Sequence, residues 1–160
     1  MRLTVAAVGR MKAGPERDLV ARYLDRLARS GPPLGLEWAG VVELPESRAA
    51  SSEERKRDEA GRLVAALPEK AAIILLDETG RTEGSHEFAH RLAALRDEGR
   101  RDLVLVIGGP DGLASDLAAR ASFVLSFGRM TWPHQIVRIL LAEQLYRTCT
   151  ILSGHPYHRA

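Results

Sequence analysis

The chain reads as an α/β domain, a parallel sheet with helices on both faces. Three observations predict this. Short, nearly continuous apolar runs recur along the sequence, the pattern of strands covered on both sides. Between them lie segments whose apolar residues return every three or four positions, which is helical periodicity. The length of 160 residues suits one domain, residues 1–160, whose core buries about two-thirds of the unfolded surface, and is too short for a full α/β barrel.

Residues 3–8 form the first apolar run, closed by Gly9. Leu19, Val20, Tyr23, Leu24 and Leu27 then share one helical face, with Pro15 near the first turn and Gly31-Pro32-Pro33 as a stop. Residues 36–44 are the second strand. Ser51-Ser52-Glu53-Glu54 has capping-box spacing ahead of a charged helix running towards Leu67. Glu53 and Arg57, like Arg55 and Glu59, stand four apart, so this charged run reads as a solvated face without function. Residues 71–76 are the third strand, a helix falls within residues 86–97, and residues 103–107 are the fourth strand. A helix over residues 115–120, a short strand over 123–126 and a long helix over about 133–148 complete the series.

That last helix carries Ile136, Val137, Ile139, Leu140, Leu141, Ala142 and Leu145 around most of its circumference. One sheet cannot cover them all, so a symmetric homodimer is expected.

Composition narrows the function. Hydrophobic residues make up 45% and charged residues 28%, ordinary for a globular protein. No signal peptide or membrane span is legible. The single cysteine, Cys149, lies in an apolar run and points to the reducing cytoplasm. Net charge is only +2, yet from Gly128 onward Arg129, Arg138, Arg147 and Arg159 face one acid, Glu143. That end is expected to draw an anionic partner.

Gly108-Gly109-Pro110-Asp111-Gly112 follows a strand and is a candidate pocket wall, since ligands of open α/β sheets sit beyond the carboxyl ends of strands. It is neither a dinucleotide fingerprint nor a phosphate-binding loop. No Gly-x-Ser-x-Gly elbow offers a covalent nucleophile. His155 and His158 lack companions with metal-ligand spacing, so no metal is expected. The closing His155-Pro156-Tyr157-His158-Arg159 concentrates groups that stack on bases and bind phosphates.

Four segments taken together, Ile107-Gly108-Gly109-Pro110-Asp111-Gly112-Leu113, Leu125-Ser126-Phe127-Gly128-Arg129-Met130-Thr131-Trp132-Pro133-His134, Glu143-Gln144-Leu145-Tyr146-Arg147 and His155-Pro156-Tyr157-His158-Arg159, resemble the large-subunit ribosomal RNA methyltransferase H family of the SPOUT superfamily. The resemblance runs the whole chain and is strongest from Leu76 onward. It implies a parallel-sheet SPOUT fold with a deep C-terminal trefoil knot, a feature that general rules of chain topology would not predict. It also implies a homodimer that binds S-adenosyl-L-methionine and methylates N3 of a pseudouridine in 23S ribosomal RNA, within the large subunit or the assembled ribosome.

Carried over motif by motif, the cofactor positions are Leu76, Gly108, Gly109, Gly128, Arg129, Met130, Thr131, Trp132 and Pro133. At Gly128 and Arg129 the family's loop works largely through backbone groups. The imide proton at N3 must leave as the methyl arrives. His158, His155 and Arg159, with Tyr157 beside them, are the candidate catalytic groups. A different class of reading is a non-catalytic RNA-binding module that uses the basic C-terminal end and needs no cofactor.

Overall fold

A computed structural model describes residues 1–158. Five parallel strands, β1 (Arg2–Val8), β2 (Glu37–Leu44), β3 (Ala72–Thr82), β4 (Asp102–Ile107) and β5 (Phe123–Ser126), lie in the order β2-β1-β4-β3-β5. Five α-helices alternate with them: α1 (Pro15–Ser30), α2 (Ser52–Ala66), α3 (Ser85–Asp97), α4 (Ser115–Arg120) and α5 (His134–Leu152).

The central strands explain why the apolar runs are continuous. Leu103, Leu105 and Ile107 of β4 pack with α1, α3 and α5, while Val104 and Val106 pack on the opposite face with α2 and α4. All five are buried. Side chains of a strand alternate between faces, so a sheet clad on both sides needs apolar residues at every position. Helices on both faces are therefore observed.

Two departures from the expected strands are local and physical. On edge strand β2 the register against β1 slips between Leu3 and Thr4, so Trp38 joins the α1 side of the core and Val42 and Leu44 the other. A single extra residue in a strand reverses the faces of all that follow. The third strand also runs well beyond Leu76. Leu76 and Arg81 both oppose Leu125 of β5, so the residues between them bulge out and the chain then rejoins the sheet. Gly80 permits the return, because a Cβ there would stand 2.8 Å from both the Leu125 carbonyl carbon and the Val124 oxygen.

The capping box of α2 forms as expected. Ser51 Oγ accepts the Glu54 amide at 3.2 Å, and the Ser51 amide donates to Glu54 Oε2 at 3.1 Å. The charged face behind it is not simply solvated, however. Arg55 grips Asp111 with two hydrogen bonds, at 2.7 and 2.9 Å, and Glu59 is buried. The expected pairing of Arg55 with Glu59 gives way to a long-range contact that spacing along a helix cannot reveal.

Helix α5 buries Leu141, Ala142, Leu145 and Cys149 against the sheet and leaves Ile136 and Leu140 half-exposed. Burial alone pushes the Cys149 thiol up to about 11, which keeps it protonated and inert. Beyond α5, Gly154 adopts φ +68°, its amide donates to the Ile151 carbonyl at 3.2 Å, and the His155 amide donates to Thr150 at 2.9 Å. This left-handed glycine stop turns the chain back along the end of the helix and leads into a short 3₁₀ turn, Pro156–His158. Among the described residues no helix is long and apolar enough to cross a membrane.

Candidate functional site

A cavity of about 440 Å³ opens where β3, β4 and β5 end, the place that open parallel sheets reserve for ligands. Leu76, Ile107 and Leu125 give it an apolar floor. Three chain segments give it walls: the bulge after Leu76, the turn Gly108 to Gly112, and the loop that links β5 to α5.

Ser126 ties two of those walls together. Its buried hydroxyl lies 2.9 Å from the Gly128 carbonyl oxygen and 3.2 Å from that of Glu78, and it accepts the Gly128 amide at 3.1 Å. Gly128 has φ +117°, a conformation that other residues avoid. Thr131 adds a second link by donating from its hydroxyl to Glu78 Oε2 at 3.2 Å. Within the bulge, the amide and hydroxyl of Thr79 both donate to Asp77 Oδ1, at 2.9 and 2.6 Å.

The remaining wall is built for closeness. A Cβ on Gly108 would lie 2.8 Å from Leu113 Cγ, so only glycine lets that turn fold back on itself. A Cβ on Gly109 would stand 2.7 Å from Glu59 Oε2 and 3.1 Å from Val8 Cγ1. Neither of those residues lines the cavity, so the crowding at Gly109 is behind the loop. Asp111 is held below the usual carboxylate range chiefly by its hydrogen bonds with Arg55.

Asp77, Glu78 and Asp111 line the cavity, the last of them already paired with Arg55, and among the described residues no lysine or arginine lines it. Such a wall favours a ligand bearing positive charge and disfavours a phosphate. The cavity takes in Leu76, Gly108, Gly109, Gly128, Met130, Thr131 and Trp132 from the sequence expectation. Arg129 is exposed outside the lining, and Pro133 serves instead as the N-cap of α5. Asp77, Glu78, Ser126 and His134 also line it and were missed. For the first two, the signal lay in the Thr79-Gly80-Arg81-Thr82 run that continues the strand past its charged interruption.

The other cluster lies along the second half of α5, from Glu143 onward. Tyr157 packs on Tyr146 with ring centroids 4.8 Å apart, and its hydroxyl donates to Glu143 Oε1 at 3.1 Å. Arg147 pairs with the same carboxylate at 2.7 Å and lies over the Tyr157 ring. Burial, hydrogen bonding with Tyr23 and the Glu143 charge all push the Tyr157 phenol up, so it stays neutral and serves as an anchor. The Tyr157 amide donates to His155 Nδ1 at 3.1 Å, and His155 itself is exposed. The side chain of His158, and Arg159 altogether, lie outside the described residues.

The basic C-terminal end is less basic than the sequence implies. Arg138 is only 6% exposed, pairs with Glu43 and donates to the Gly9 carbonyl at 2.6 Å. Burial opposes the charge on Glu43, yet the Met11 amide and Arg138 together hold it below the usual range. With Arg147 engaged by Glu143, two of the four expected cations are spent inside the chain.

The cavity and the tail belong to one helix but not to one place. Helix α5 spans His134–Leu152, with His134 at the cavity end, and Tyr157 turns back along it to bond Glu143, nine residues on from His134 and so about 14 Å away at about 1.5 Å per residue.

A parallel sheet with a glycine-walled, acidic cavity at its strand ends defines an α/β protein that binds a small ligand. Comparison makes that class specific. A family model described as "Predicted SPOUT methyltransferase" matches residues 1–158. Proteins named "Ribosomal RNA large subunit methyltransferase H" from Brucella anthropi and Rhizobium meliloti are 61% and 62% identical over 160 residues, covering 100% of both chains in each case. Among solved structures, the SpoU methyltransferase AviRb of Streptomyces viridochromogenes, in complex with the cofactor AdoMet, aligns with a TM-score of 0.40 and 13% identity over 96% of this chain and 61% of its own. The chain belongs to the SPOUT methyltransferase family.

Proposed function

We propose that this protein transfers a methyl group from S-adenosyl-L-methionine to N3 of a pseudouridine in large-subunit ribosomal RNA. It acts as a cytoplasmic homodimer, on the large subunit or the assembled ribosome. The observation that carries the reading is the cavity of about 440 Å³ with acidic walls and, among the described residues, no lysine or arginine in its lining, in a chain collinear with ribosomal RNA methyltransferases. The cofactor's cationic sulfonium and ammonium groups suit such walls, and the apolar floor suits its adenine.

When bound, the cofactor supplies an electrophilic methyl group, and the protein supplies binding, orientation and electrostatics. Leu76, Gly108, Gly109 and the segment Gly128, Arg129, Met130, Thr131, Trp132 and Pro133 hold it. Arg129 contributes through backbone alone, in keeping with its exposed side chain. A nitrogen flanked by two carbonyls must lose its proton as it attacks. His158 or His155 takes that proton, and Arg159 favours the anion. Tyr157 fixes the tail that presents them, through Glu143 and Tyr146.

The stretch of α5 between His134 and Glu143, where Tyr157 anchors the tail, separates the two halves of the site within one chain, which supports a composite site across a dimer. Two α5 helices packed antiparallel through Ile136 and Leu140 would set the tail of one copy beside the cavity of the other. The chain forms one domain whose C-terminal part is threaded as a deep trefoil knot, as in the family it resembles, around the three segments that wall the cavity.

A methyl-transfer assay with labelled cofactor on ribosomes from cells lacking the protein tests this. Label is expected at N3 of one large-subunit pseudouridine. Label at another atom or in another RNA overturns the specificity, and failure to bind S-adenosyl-L-methionine leaves only an RNA-binding module.

A further inference from the structure

Glu59 is 4% exposed, although it carries a carboxylate on a helix whose other charges are exposed or held in ion pairs. Its Oε1 accepts the Ser47 amide at 2.8 Å, and its Oε2 has no hydrogen-bond partner among the described residues. A buried polar atom without a partner is rare in native proteins and calls for a reason. The reason is adjacent. Oε2 is the atom that a Cβ on Gly109 would meet at 2.7 Å, and Gly109 lines the cavity from the other side. One turn earlier on the same helix, Arg55 holds Asp111 of the same loop at 2.7 and 2.9 Å.

Helix α2 therefore touches the loop Gly108 to Gly112 at two points: a charged clamp at Asp111 and a rigid carboxylate beneath Gly109. A flexible side chain could yield to the loop, but Glu59 cannot, because burial and the Ser47 amide fix its rotamer. We propose that Glu59 is a positioning residue for the cofactor site: it sets the height of the Gly109 backbone and with it the shape of the cavity wall. This rests on the cavity being the S-adenosyl-L-methionine site. Glu59 itself stays behind the loop, touching neither cofactor nor RNA.

The test is calorimetric titration of the full-length protein with S-adenosyl-L-methionine, beside steady-state kinetics and thermal melting. Glu59→Ala is expected to weaken cofactor binding roughly tenfold. KM for the cofactor rises while kcat and RNA affinity stay near wild type. Gly109→Ala weakens binding as well, and adding Glu59→Asp, which withdraws the carboxylate by one methylene, recovers much of that loss. A purely structural carboxylate would lower the melting temperature and every ligand affinity together, with no recovery in the pair.

Wild-type cofactor affinity in Glu59→Ala overturns the role of Glu59 and leaves the cofactor site standing. If Glu59→Ala does not fold, the Gly109→Ala pair decides, and absence of recovery overturns the role. A wild-type protein that binds no S-adenosyl-L-methionine overturns the reading of the cavity, and the role with it.

Discussion

The two ends of α5 are made of different materials. At the His134 end the cavity is shaped by backbone: a bulge, two close-packed glycines and a left-handed glycine, joined by the Ser126 hydroxyl. At the Tyr157 end the surface is made of side chains, with Tyr146, Tyr157, Arg147 and Glu143 interlocked. The first end is expected to depend on where glycine stands and to tolerate change at exposed positions such as Arg129. The second is expected to depend on the side chains it contains.

The sharpest test of this division is at the tail. Replacing His158 by alanine is expected to slow methyl transfer by roughly 10²- to 10⁴-fold if it is the general base, with cofactor affinity unchanged in calorimetry. The companion change Arg129→Ala, at the backbone-built end, should leave both quantities near wild type. A cofactor-binding defect in the His158 variant would break the division.

Next in size is the half-exposed stripe between the ends. Leu140→Glu places a charge where the second copy is expected to pack, at a cost of several kcal/mol if left unpaired. Light scattering should report monomers or aggregates, and the monomer should bind cofactor yet transfer no methyl group. An active monomer would place both halves of the site in one chain.

Smaller effects follow from Tyr157. Tyr157→Phe keeps the ring on Tyr146 and loses the bond to Glu143, which costs about 1 kcal/mol of stability. Thermal melting measures that loss, and the rate of methyl transfer should fall with it as the tail loosens.

The pairing of Arg138, near the start of α5, with Glu43 predicts an acid limit. Glu43 is held below its ordinary value of 4.5, so its native state binds protons less readily than the unfolded chain. Its contribution is fully present above about pH 4.5 and is lost as pH falls through its lower folded value. Denaturant melts between pH 6 and about pH 3 should show the decline, and Glu43→Gln should flatten it.

How much of this was legible depended on distance along the chain. Strands β1 and β4, the capping box at Ser51 and the apolar girth of α5 depend on neighbouring residues, and sequence patterns report them. The continuation of β3 was hidden because Asp77 and Glu78 interrupt the apolar run that marks a buried strand. Arg138 looked like a surface cation because its partners, Glu43 and Gly9, lie 95 and 129 residues away. Glu59 looked like half of a helical ion pair, and only the fold brings it beneath Gly109. For the cavity, motif resemblance named Leu76, the two glycines after β4 and much of the loop from Gly128 to Trp132, whereas the acidic wall after Leu76 became visible only in three dimensions.

The place of β5 at the sheet edge governs how the protein acquires its binding competence. β5 pairs with β3, so that Phe123 meets Ile74, and the intervening chain must first complete α3, β4 and α4. Contacts of such long range form slowly, because loop closure precedes any gain from pairing. The link that Ser126 makes to Glu78 cannot exist before β5 is laid down. Helical signal should therefore return early in refolding, and the ability to bind cofactor should return last, as a distinct slow phase.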